Sequence, residues 1–257
     1  MRRAFRGVVV TDTAVIVGAT GAFGSAVTGR LTKRGLRVVA VARGAAALGD
    51  LAGASDLITP CVADIGDDSS IELIGRQLDG PVKMAVLAAG LPVRGSADTI
   101  EPEALVTGAN IKVAGVIRLL HAVRDHLGAG SRFVAFAGTL GIEPRAQAAG
   151  PGAINAAVFN LMRQISLLYG PKGVTVHTVA PGPADTPRLR RIVTTVAEER
   201  GAAFDEVWRE YGALTSLGRM PTVDEIAWAV SLLLEPEADI LHGGVLHVDG
   251  GGLRGIF

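Results

Sequence analysis

The chain has 257 residues, long enough for one large α/β domain, and length alone does not require two. Hydrophobic residues make up 49% and charged residues 19%, which excludes global disorder and allows a substantial buried core. Lys+Arg and Asp+Glu both number 25, so no field for nucleic acid or an anionic membrane follows, and the single cysteine, Cys61, excludes an internal disulfide. No apolar run approaches the roughly 20 residues of a membrane span. The opening stretch MRRAFRGVVVT lacks a signal-peptide core. A cytoplasmic protein is the expectation.

Short apolar segments alternate with helix-sized ones: AVIVG (14–18), RVVAVA (37–42), LITPCV (57–62), KMAVLAA (83–89), RFVAFA (132–137), VTVHTVA (174–180) and VLHVDG (245–250). Apolar residues in succession, rather than in alternation, predict strands buried on both faces. Strands alternating with helices predict a single α/β domain, a Rossmann-type doubly wound parallel sheet of about seven strands. In such a sheet ligands lie beyond the carboxyl ends of the strands.

The first strand runs into GATGAFG, which comprises Gly18, Ala19, Thr20, Gly21, Ala22, Phe23 and Gly24, and then into a helical segment, SAVTGRLTKRG. Glycines between a strand and a helix allow a tight turn and let backbone N–H groups approach a pyrophosphate. The alternative is a glycine-rich turn with no ligand. The second strand ends with Ala42 and Arg43, where an NAD site would place a carboxylate on the ribose 2′-OH. An arginine there can hold a 2′-phosphate through paired, charge-assisted hydrogen bonds. NADP(H) is therefore favoured over NAD(H), unless Arg43 only stacks on the adenine.

With these residues the sequence resembles the short-chain dehydrogenase/reductase family along nearly its whole length. The family's TGxxxGxG motif is partly met, with Val17 at the Thr and Ala22 at the middle Gly. The Gly18, Gly21, Gly24 spacing is similar to that of extended and atypical members. Asp64 in VADIGD, with Ile65 beside it, matches the aspartate that contacts adenine. LAAG (87–90) keeps Ala89 and Gly90 of the NNAG motif, and Asn110 matches the helix asparagine. Pro181, Gly182 and Thr186 in APGPADT match PGxxxT, and the segment from Gly218 to Gly252 resembles the family's C-terminal signature. The resemblance implies a nicotinamide cofactor, hydride transfer at a carbonyl or alcohol, and a homodimer or homotetramer.

In the family a tyrosine exchanges the proton, a lysine four residues later lowers its pKa and holds the ribose, and a serine aligns the carbonyl. Aligned on YxASK, PGAINAAV puts Pro151 at the tyrosine and Asn155 at the lysine, and Gly138 falls at the serine. Of the tetrad only Asn110 is retained. Asn155 is then expected to make a neutral ribose contact. Only two tyrosines exist. Tyr169 lies 18 residues along the helix from Pro151, about 27 Å. Tyr211 could reach the cleft from the segment that covers the substrate, or pack. Lys33, Lys83, Lys112 and Lys172 offer no substitute at the right spacing.

Thr139, Arg145 and Gln147 are substrate-binding candidates, against turn-forming and solvated-loop roles. His177 reads as a satisfied core histidine in mid-strand, and His121 and His126 as surface or interface residues. No metal-ligand cluster is evident. The lid, at about 184–218, carries Arg188, Arg190 and Arg191, then Trp208 and Tyr211. It reads either as a pocket for an aromatic or anionic substrate or as an amphipathic helix pair. Three functions stay open: an atypical NADPH-dependent ketoreductase-type enzyme whose proton comes from water or substrate, a catalytically silent NADP(H)-binding regulator or non-catalytic subunit, and a non-redox enzyme using the same pocket.

Overall fold

The computed structural model describes residues 12–255 except 92 and 94, so the stretch MRRAFRGVVVT lies outside the described residues. The expected strands form: β1 (Thr13–Val17), β2 (Arg37–Ala42), β3 (Ile58–Val62), β4 (Val82–Leu87), β5 (Arg132–Phe136), β6 (Thr175–Pro181) and β7 (Val245–Val248). They lie in one sheet in the order β3-β2-β1-β4-β5-β6-β7, all neighbours parallel. Each parallel step needs a crossover, and the helices supply it. β1, β5 and β6 are buried at every residue. The outer strands depart from that expectation. Val62 of β3 is half exposed and β7 is only partly covered, because an edge strand has a neighbour on one side alone.

Helices α1 (Ala22–Lys33), α2 (Ala45–Ala52) and α9 (Val223–Leu232) cover one face, through Val27, Leu31, Leu48, Ile226 and Val230. Helices α3 (Ser69–Gly75), α4 (Pro102–Ala109), α5 (Gly115–Val123) and α6 (Ala149–Tyr169) lie on the other side. Ile74, Val116, Leu119, Val158 and Met162 pack there on Val15, Leu87 and Phe133. The remaining pair, α7 (Pro187–Arg200) and α8 (Phe204–Ala213), forms the lid with its own small core of Leu189, Val193, Val207 and Met220.

Local signals set several boundaries. Thr186 caps α7, its hydroxyl accepting from the Leu189 N–H, with Pro187 in the first turn. Thr222 and Glu225 form a capping box at α9. α1 begins at Ala22, inside the glycine turn and three residues earlier than the run starting at Ser25 suggests. A π-helical segment, Asn110–Ala114, joins α4 to α5. The continuous stretch Pro102–His126 is long and apolar enough by length and composition to cross a membrane, contrary to the sequence expectation. Its apolar side is spent on the sheet: Val116, Leu119 and Val123 are fully buried there.

Candidate functional site

The strand order reverses between β1 and β4, and a cleft of about 860 Å³ opens at their carboxyl ends. This is where an open parallel sheet splays its connections apart. The cleft wall includes Gly18, Thr20, Gly21, Arg43, Asp64, Ile65, Ala89 and Gly90, eight of the predicted cofactor residues drawn from four strand ends. Ile111 and the lid residues Arg188 and Arg191 also line it.

The glycine turn is held by backbone geometry. Gly18 has φ +81, and a Cβ there would sit 2.8 Å from the Ala88 carbonyl carbon. A Cβ on Gly24 would sit 2.1 Å from the Gly18 carbonyl oxygen, so any side chain at 24 must push α1 away from the turn. Gly21 precedes the helix as its cap, and the first N–H groups, of Ala22, Phe23 and Gly24, have no helical acceptor behind them. A helix start of this kind is suited to an anion. Phe23 stacks on Phe136, with ring centroids 5.4 Å apart, which fixes the turn to the end of β5. A cleft of this size with a bare helix N-terminus fits a dinucleotide.

Two side chains organise the β3 end of the cleft. Asp64 Oδ1 accepts from the Gly66 N–H at 2.9 Å, and Asn110 Nδ2 donates to the Gly66 carbonyl at 2.8 Å. Asn110 thus holds the turn that carries Asp64 and Ile65. Arg43 is exposed, and its guanidinium lies 3.9 Å from Asp64 Oδ2. At that length and exposure the pair is a loose one, which leaves the guanidinium mobile enough to turn to a ligand.

The other predicted residues gather elsewhere. Pro181 ends β6, and Gly182 borders a second, much smaller cavity together with Thr139 and Arg145. Gln147 is exposed outside both cavities. Thr186 serves as the α7 cap. Tyr211 is partly buried and packs, like Trp208, against the lid's core at Val207, because residues three and four apart share a helix face. Trp208 stacks on Phe204 at 5.5 Å, and Arg190 sits over its ring while pairing with Asp185. The lid is thus an amphipathic helix pair for its aromatic residues, while Arg188 and Arg191 present charge to the cleft.

Pro151 lies in the first turn of α6. Asn155, one turn on, is buried, and a Cβ at Gly138 would stand 2.9 Å from its Nδ2. A Cβ at Gly141 would meet the α6 backbone at 2.7 Å. The Gly138–Gly141 turn therefore lies directly on α6, and residues 138 and 155 share one space. Tyr169 is buried at the far end of the same helix, as its spacing requires.

Two buried groups change the sequence reading. His177 is fully buried, but neither ring nitrogen makes a hydrogen bond of normal geometry. Burial, then the Arg132 charge, push its pKa down to about 4, and the nearby Leu241 carbonyl raises it only partly. It is a core histidine, though an unsatisfied one. Lys112 has no useful spacing in the sequence, yet it is buried in the π-helical segment, where Nζ donates to the Phe136 carbonyl at 2.8 Å. Its signal in the sequence is a lone cation two residues after Asn110 within an apolar helix. Among the described residues no group of three metal-ligating side chains gathers.

Comparison with known proteins agrees with this geometry. A family model described as enoyl-(acyl carrier protein) reductase matches residues 18–252. A cis-4-hydroxycyclohexanecarboxylate dehydrogenase from Sinomonas cyclohexanicum is 28% identical, with 93% of this chain and 95% of that protein covered. The short-chain reductase protein NovJ from Streptomyces niveus is 27% identical over 93% of this chain and 92% of its own. Among solved structures, an actinorhodin polyketide ketoreductase variant with NADPH superposes with a TM-score of 0.86 at 25% identity, covering 95% of this chain and 98% of that one. A glycine turn at the β1 end, a cleft at the strand-order reversal and a match over residues 18–252 lead to one assignment: the chain belongs to the short-chain dehydrogenase/reductase family of NAD(P)H-dependent oxidoreductases.

Proposed function

We propose that the chain is an NADP(H)-dependent, ketoreductase-type oxidoreductase that passes hydride to a small carbonyl substrate without a tyrosine–lysine acid pair. The observation that carries this reading is a division within the site. The glycine turn, Arg43, Asp64, Ile65, Ala89 and Gly90 converge on one cleft, while the positions aligned with proton transfer hold Gly138, Pro151 and Asn155. A bound nicotinamide would supply the hydride. The chain's own part is to bind and orient: the α1 N-terminus would hold the pyrophosphate, Arg43 would hold a 2′-phosphate, and Arg188 and Arg191 bring further positive charge to the cleft. Orientation of two reactants supplies much of such a reaction's acceleration.

The same three positions support a second reading, a catalytically silent NADP(H)-binding regulator or non-catalytic subunit. A non-redox enzyme on the same pocket is the third. We propose a homodimer or homotetramer, a reading supported by the exposed Leu167 and Leu168 on α6 and Trp228 on α9, and a cytoplasmic protein. The test is calorimetry of NADPH and NADH on the wild type and Arg43→Ala. Loss of one charge-assisted contact should cost about 1.5–3 kcal/mol for NADPH and little for NADH. Equal losses would remove the NADP preference. Tight NADPH binding with no reduction across a carbonyl panel would favour the silent protein.

A further inference from the structure

Lys112 has no part in the cofactor cleft's wall or in the positions aligned with proton transfer. It lies in the π-helical segment between α4 and α5, is 5% exposed, and donates to the carbonyl of Phe136, the last residue of β5. An ammonium carries three donors. Among the described residues this carbonyl is the one hydrogen-bond acceptor it has, so two N–H bonds remain for water or a ligand. Buried polar groups ordinarily find such partners.

Among the described residues no carboxylate answers its charge. The charged and titratable groups on the elements packed against it are Glu103 on α4, Arg118 and His121 on α5, Arg163 and Tyr169 on α6 and Arg132 on β5, and Arg188 reaches it from α7. Of these only Arg188 acts on it, with the same sign. Asp64 and Asp68, on the neighbouring turn, are committed to the Gly66 N–H and to Arg118. Burial, and then Arg188, push the ammonium down to about 8. A buried charge without a counterion is costly to keep, and π-helical turns recur at functional sites.

Its place in the fold gives the charge a use. Ile111, its chain neighbour, and Arg188 both line the cleft. Two residues beyond Phe136, roughly 7 Å along an extended strand, lies Gly138 against the Asn155 amide. Asn155 itself makes no side-chain hydrogen bond among the described residues. The ammonium is therefore anchored at the end of β5, on the strand that leads to Gly138 and Asn155.

We propose that Lys112 is the proton-holding residue of this site, a positioning residue whose ammonium holds and recharges the water that protonates the substrate oxygen. The inference rests on the reductase reading. Once hydride has passed to the carbonyl carbon, the oxygen keeps the electron pair of the former π bond and takes a proton from that water. The water regains its proton from the Lys112 ammonium, and the neutral amine is recharged from solvent. No further reactant is needed.

Calorimetry of NADPH binding at pH 8, in two buffers of different ionisation enthalpy, counts the protons taken up and needs no turnover. A polyanion bound beside a cation favours its charged form, and the cofactor's phosphates are already ionised at this pH. A group whose affinity for protons burial has lowered into this range should take up a measurable fraction of a proton per NADPH in the wild type. Lys112→Met and Lys112→Arg should take up none, the arginine keeping the charge without titrating. Uptake unchanged in the variants, or absent in the wild type, overturns the proposal and leaves the reductase reading in place. Failure of the wild type to bind NADPH overturns both. In single-turnover reduction of phenanthrenequinone by the NADPH complex, the wild-type rate should fall on an alkaline limb displaced upward from pH 8 by the bound phosphates, with no such limb in Lys112→Arg. A flat wild-type profile, or a limb retained by Lys112→Arg, also overturns it.

Discussion

Replacing Lys112 by methionine should change how stability depends on pH, in the protein without any ligand. In the folded state the ammonium is pushed from 10.5 to about 8, by burial first and Arg188 second. The depressed value means that the unfolded chain binds more protons between these two pH values, so stability rises with pH through that window. At pH 7 the penalty is about 3 kcal/mol, since each tenfold change in proton affinity is worth about 1.4 kcal/mol, and at pH 9.5 it has fallen to about 1.4 kcal/mol. The wild type should therefore gain about 2 kcal/mol relative to Lys112→Met between pH 7 and 9.5. The absolute stability of the variant is less informative, because methionine also withdraws a donor from the Phe136 carbonyl, at about 1–3 kcal/mol. The slope is free of that contribution. Urea denaturation of both proteins at the two pH values measures it. Parallel pH profiles would refute the reasoning and show that water reaches the Lys112 ammonium as freely as it reaches a surface lysine.

His177→Leu should show the same sense in a more acid window: burial holds the imidazole at about 4 against 6.5 when unfolded, so the wild type loses stability as pH falls. Between pH 7.5 and 5 denaturation should show a loss of about 2 kcal/mol that the leucine variant lacks. Gly24→Ala places its methyl 2.1 Å from the Gly18 carbonyl oxygen, so α1 must shift away from the turn. It should cost about 1–3 kcal/mol of stability and at least tenfold in NADPH affinity by titration. Gly138→Ser brings its Cβ within 2.9 Å of Asn155 Nδ2. A double-mutant cycle with Asn155→Ala should therefore show about 1 kcal/mol of coupling, and additive effects would mean that the two positions do not share space.

Much of this protein is local information, written in the chain order. Unbroken apolar runs such as RVVAVA and RFVAFA specify buried parallel strands, since only strands covered on both faces avoid exposing one side. The GATGAFG turn specifies its own geometry, because φ +81 at Gly18 and the close approach at Gly24 admit no side chain. These two features are enough to locate the fold and the cleft. What the sequence could not show is which side chains from distant segments face one another. Arg188 and Arg191 reach the cleft while Arg190, between them, turns to Asp185 and Trp208, a choice made by how α7 packs on α8. Tyr211 goes to the lid core for the same reason. The histidine in β6 reads as satisfied in one dimension, and the partners it lacks are a property of three. Lys112 is the sharpest case. As a letter it is one of four lysines at the wrong spacing. Only the packing of the segment after α4 against β5 buries its ammonium on the Phe136 carbonyl, removes it from water and shifts its proton affinity. Burial and charge environment are properties of the assembled molecule, and they decide what a residue can do chemically.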